Sequence, residues 1–65
     1  MSEDKVRELE QSLAAAVADL RRAQDEYSTC LLNDPVGCAV EQEAVAAAER
    51  RVKALRKRLA EAKRA

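Results

Sequence analysis

The two cysteines are the residues of this chain whose type and spacing could do chemistry. Cys30 and Cys38 lie on either side of Asp34, four positions away from it in each direction. Two cysteines whose Cα atoms approach within about 7 Å can form a disulfide. Catalytic redox pairs are usually spaced C-x-x-C, and a zinc site needs four ligands in a chain that here contains no histidine. We therefore predict a disulfide, with two reduced and packed thiols as the alternative, and no metal site.

No other group of residues suggests catalysis. The chain lacks histidine, and Gly37 is its only glycine, so there is neither a histidine-activated nucleophile nor a glycine-rich phosphate loop. The carboxylates fall on helix faces that we expect to be solvated, away from any substrate cavity. We predict a protein that is not an enzyme, with no catalytic residue and no cofactor.

Apolar residues recur at intervals of three and four on both sides of Asp34, which is the a/d pattern of a left-handed coiled coil. The residue numbers of facing positions sum to 68, so Leu9 faces Leu59 and Cys30 faces Cys38. A chain that folds back on itself at residue 34 produces this symmetry. The sixteen predicted seam residues are Val6, Leu9, Leu13, Ala16, Leu20, Ala23, Tyr27, Cys30, Cys38, Glu41, Val45, Ala48, Val52, Leu55, Leu59 and Ala62.

The pattern predicts an all-α fold, an antiparallel two-helix coiled-coil hairpin, and two such hairpins could pair into a four-helix bundle. We expect a single helical-hairpin domain over 1–65, with helix 1 over about 3–32, a turn over about 33–37 and helix 2 over about 38–63. Pro35 and Gly37 suit the turn, and neither residue type occurs inside the two helical segments.

The positive and negative charges of the whole chain balance, but its two halves carry opposite net charges. Residues 1–32 carry seven acidic and four basic residues, a net charge of −3, whereas residues 33–65 carry five acidic and eight basic residues, a net charge of +3. Helices of opposite charge attract, and the register brings Asp19 opposite Arg51. We therefore predict ion pairs between the helices that favour the antiparallel orientation.

Four large apolar residues near the turn fall outside the seam, namely Leu31, Leu32, Val36 and Val40. An apolar patch of this kind favours docking to another protein. A 65-residue chain with alanine in several seam layers also buries little apolar area by itself. We predict a protein–protein interaction module whose partner is another protein or a second copy, with a homodimer favoured. The alternative for Leu31, Leu32 and Val36 is a local cap folded over the turn.

The basic residues of helix 2 support a second interpretation. Arg50, Lys53, Lys57 and Arg58 could neutralise phosphates, which would make this a small nucleic-acid-associated protein. Against this, no aromatic residues are interleaved with the basic ones to stack on bases. A third interpretation is a spacer arm belonging to a larger protein.

The apolar segments are too short for a membrane span, which needs about 18 or more consecutive apolar residues. The acidic start of the chain, Met1 to Asp4, also lacks the basic and apolar regions of a secretory signal. We expect a cytoplasmic protein, although the cysteine pair leaves an oxidising compartment open.

Overall fold

The computed structural model describes residues 2–64, and these form two α-helices joined by a short turn. Helix α1 is Ser2–Asn33 and helix α2 is Ala39–Arg64. No strand occurs within this part of the chain. The first and last residues of each helix lie one position from those expected from the sequence. The prediction of an all-helical hairpin is confirmed.

The composition of the two segments explains why both are helical. Alanine, leucine, glutamate, glutamine, lysine and arginine dominate, and these have the highest helix propensities. Glu3 and Asp4 lie in the first turn of α1, and Lys63 and Arg64 in the last turn of α2, where the helix dipole favours their charges. Local preference and the seam pattern therefore agree along both helices.

The hairpin is a thin rod whose Cα atoms extend over 49 × 14 × 11 Å. At 1.5 Å per residue, a helix of the length of α1 spans about 48 Å, so the rod is as long as its longer helix. Its radius of gyration, 14.9 Å, exceeds the value of about 11 Å expected for a compact chain of this size. Lys5 and Leu9 line one groove together with Arg58 and Ala62, so the start of α1 lies beside the end of α2.

The core runs along the contact between the helices. Its buried cluster consists of Leu9, Ala16, Val52 and Leu55, and Leu13, Val17, Leu20, Leu59 and Ala62 pack against it. All sixteen predicted seam residues are buried or half-buried. Beyond them, only Val17, Asp19 and Ala46 are not exposed among residues 3–64. Ala16, which is 1% exposed, shows how small side chains let the two helices approach closely.

The ion pairs found in residues 2–64 join side chains of the same helix. Arg22 pairs with Asp19 in α1, and Arg50 pairs with Glu43 in α2 at 3.0 Å. The predicted pair between Asp19 and Arg51 is therefore wrong, because a partner three residues along the same helix is easier for Asp19 to reach. The side chains of both pairs keep about half or more of their surface in solvent, and pairs of this kind contribute about 1 kcal/mol or less. The hairpin is held mainly by apolar packing along the seam.

Candidate functional site

The turn between the helices spans residues 34–38 and is organised by Asp34. The Asp34 backbone N–H donates to the carbonyl oxygen of Cys30 at 2.7 Å, and the Asp34 carbonyl accepts from the N–H of Gly37 at 3.3 Å. Its carboxylate oxygen Oδ1 accepts a further hydrogen bond from the backbone N–H of Val36, also at 3.3 Å. Asp34 thus stabilises the turn through hydrogen bonds of both its backbone and its side chain.

The carboxylate of Asp34 occupies the space that a side chain at Gly37 would need. A Cβ atom at this position would lie 2.5 Å from the carboxylate oxygen Oδ2 of Asp34, closer than real Cβ atoms approach other atoms. No positive φ angle occurs at any residue from 2 to 64, so the left-handed freedom of glycine is not used here. A larger residue at position 37 would therefore displace the carboxylate end of the Asp34 side chain.

The cysteines lie at disulfide distance within the chain, as the sequence predicts. Their Cα atoms are 5.9 Å apart, within the range of about 4.4–6.8 Å seen in disulfides. Cys38 is 5% exposed, and its carbonyl accepts the hydrogen bond from the Gln42 N–H that begins the bonding of α2. Cys38 is therefore the N-cap residue that precedes α2, and not the first residue of the helix. This explains why α2 begins one residue later than expected. The pair itself is compatible with a reducing or an oxidising compartment.

Four large apolar side chains stand in solvent beside the cysteines, and we call Leu31, Leu32, Val36 and Val40 the apolar tip. Leu31 is 40% exposed, Leu32 87%, Val36 93% and Val40 78%. These are the exposed large hydrophobic residues of the described part of the chain. The alternative of a local cap over the turn is wrong, because a folded cap would cover Leu32 and Val36. Each residue of the tip lies within two positions of Cys30 or Cys38.

A groove beside Cys30 was not expected from the sequence. The side chains of Asp25, Glu26 and Glu41 line it together with Arg22 and Cys30. The groove therefore carries three carboxylates and one guanidinium next to one of the two sulfur-bearing side chains. The spacing contained a signal, since Glu26 precedes Cys30 by one helical turn and Glu41 follows Cys38 by three residues.

The basic residues proposed for nucleic-acid contact are all exposed on α2. Lys53, Lys57 and Arg58 stand in solvent, whereas Arg50 already has the carboxylate of Glu43 as a partner. The acidic half of the chain lies alongside in α1. No aromatic side chain accompanies the four basic residues, so a nucleic acid on this face would find no surface on which to stack its bases.

Within residues 2–64 there is no group of three histidine, cysteine, aspartate or glutamate residues placed to hold a metal ion. Neither α1 nor α2, as described, combines the length and hydropathy needed to cross a bilayer. No protein-family model, curated protein or solved structure matches this chain.

Proposed function

We propose that this protein is a non-enzymatic interaction module in which a coiled-coil helical hairpin presents its apolar tip to a protein partner. The observation that carries the proposal is the exposure of the apolar tip, from 40% at Leu31 to 93% at Val36, at the end of a rod whose seam residues are covered. A cluster of large apolar side chains in water is unfavourable unless something covers it.

The coiled-coil part of the proposal is supported by the burial pattern. Residues spaced three and four apart are buried or half-buried on both helices over the length of the rod. A coiled coil, in which each seam side chain enters a gap between residues of the facing helix, would produce this pattern of burial. Ala16 and Val52, at 1% and 4% exposure, form the tightest layer of the seam.

We further propose that the partner is a second copy of the chain, which pairs with the first as a homodimeric four-helix bundle. The buried apolar residues of the hairpin are few, namely Leu9, Ala16, Cys38, Val52 and Leu55. Small chains with little core are commonly stabilised by a covalent staple or by association. The opposite net charges of the two halves favour a second copy placed with its α1 against α2 of the first.

The test is the substitution Leu32→Glu, because it places a charge within the apolar tip, which is part of the proposed contact, without touching the seam. The subunit number is measured by sedimentation equilibrium over a range of concentrations, and helix content by circular dichroism. We expect a dimer for the unchanged chain and a monomer of equal helix content for Leu32→Glu. Ser28→Glu, one turn earlier on an exposed position of α1, is the matched control and should remain dimeric.

Two other outcomes are informative, because each contradicts one part of the proposal. A Leu32→Glu variant that dimerises as well as the unchanged chain would show that the apolar tip is not the contact. An unchanged chain that stays monomeric at every concentration would refute the homodimer.

A further inference from the structure

The two sulfur-bearing side chains at the turn differ in their access to solvent. Cys38 is 5% exposed, whereas Cys30 is half-buried and lines an open groove. Exchange between a disulfide and a thiol requires a thiolate to reach one of the two sulfurs. We propose that the Cys30–Cys38 disulfide is a thiol-exchange site, attacked at the Cys30 sulfur by a small cationic thiol that enters through this groove.

The first exchange step needs only the attacking thiol and water. The thiolate forms a bond to the Cys30 sulfur, the bond between the two cysteines breaks, and its electron pair leaves with the Cys38 sulfur, which takes a proton from water. The Cys38 sulfur lies 2.9 Å from the carbonyl oxygen of Asp34, so the released thiol has an acceptor in place. A second molecule of the thiol then attacks the mixed disulfide and leaves Cys30 reduced, with the two external thiols oxidised to their own disulfide.

The charges of the groove determine which class of thiol is attracted to the Cys30 sulfur. Asp25, Glu26 and Glu41 contribute three negative charges, and the single cation, Arg22, is already paired with Asp19. An anionic thiol is repelled by this surface, while a thiol that carries an ammonium group is attracted. A half-buried sulfur beside uncompensated carboxylates therefore favours small amine-bearing thiols over carboxylate-bearing ones.

The site of attack is tested by trapping the mixed disulfide. The oxidised protein is treated briefly with cysteamine, quenched with acid, and mapped by tandem mass spectrometry. We expect the adduct on Cys30 and a free thiol on Cys38. Because adducts can migrate between neighbouring sulfurs, the single variants Cys30→Ala and Cys38→Ala provide a second measurement. The Cys30 thiol left in Cys38→Ala should react with iodoacetamide several-fold faster than the Cys38 thiol left in Cys30→Ala.

The class of thiol is tested with three reagents of nearly equal size: cysteamine, mercaptoethanol and mercaptopropionate, which are cationic, neutral and anionic before the thiol ionises. Rates of disulfide opening are expressed per thiolate and divided by the rate of each reagent with a neutral small disulfide. We expect the normalised rates to fall in the order given. The differences between the three normalised rates should disappear in about 1 M salt, where the screening length is about 3 Å. They should also disappear in the double variant Glu26→Gln with Glu41→Gln.

Three results would overturn the inference. They are an adduct found mainly on Cys38, equal alkylation of the two single-cysteine variants, and normalised rates that do not depend on the charge of the reagent. These measurements report the reactivity of the two cysteines, whereas the test of the apolar tip reports the subunit number, so the failure of one proposal can be distinguished from the failure of the other.

Discussion

Opening the disulfide should destabilise the hairpin by an amount that the length of the closed ring determines. Cys30 and Cys38 close a ring of nine residues, and the chain-entropy model gives about 2.5 kcal/mol for a ring of this size. Reduction leaves both thiols in place, and the carbonyl of Asp34 can accept a hydrogen bond from the Cys38 thiol. The comparison of oxidised and reduced protein therefore measures the cross-link with little change in packing.

This loss is large for a chain with so small a core. Folded domains are stable by roughly 0.05–0.15 kcal/mol per residue, which gives about 3–10 kcal/mol here. In domains of this size 1 kcal/mol corresponds to about 4–8 °C in the melting temperature, so reduction should lower that temperature by about 10–20 °C. A quarter or more of the stability of the hairpin then depends on one covalent bond at the turn.

The assay is thermal unfolding followed by circular dichroism, with the oxidised chain, the same chain in excess reductant, and the double variant Cys30→Ala with Cys38→Ala. The variant controls for the reductant, because it cannot form the bond and should melt near the reduced chain in both buffers. Several protein concentrations separate the effect of the cross-link from that of association. A difference below about 4 °C between oxidised and reduced chain would refute the entropy argument, since it corresponds to less than about 1 kcal/mol.

Two further predictions concern the seam and the basic residues. Leu55→Ala, at a core position that is 9% exposed, should lower the free energy of unfolding by about 2–4 kcal/mol in denaturant titrations, whereas the exposed control Lys53→Ala should change it by less than about 0.5 kcal/mol. A larger effect at Lys53 would mean that the helices pack on a different face. A labelled DNA duplex should show no change in fluorescence anisotropy with the protein at low salt, because α1 supplies compensating carboxylates. Tight binding that weakens steeply with salt, and that Lys57→Gln reduces, would favour the nucleic-acid interpretation instead.

The course of the backbone could be predicted from the sequence because one pattern determines it. Apolar residues with three-and-four spacing on both sides of Asp34 leave a single register in which all of them are covered, and those positions are indeed buried or half-buried. The pairing of Cys30 with Cys38 follows from the same register. Helix propensity and turn residues agree with it at every point.

The side-chain interactions at the surface could not be predicted in the same way. The register showed that Asp19 and Arg51 face each other across the helices, but long exposed side chains choose among several partners of nearly equal energy. Asp19 pairs with Arg22. The groove beside Cys30 was missed because it depends on how the side chains around Cys30 and Glu41 are arranged, which spacing alone does not determine. The exposure of Leu32 and Val36 likewise depended on the path of the turn.

The antiparallel arrangement has a mechanical consequence. The start of α1 lies beside the end of α2, so tension applied to the two ends pulls the helices apart sideways and peels the seam one layer after another. Such unzipping needs far less force than shearing the whole seam at once, because only one layer resists at any moment. Peeling must stop at the disulfide, which is the last layer before the turn. A stretched molecule would therefore keep its turn and the apolar residues around it closed while the rest of the rod opens.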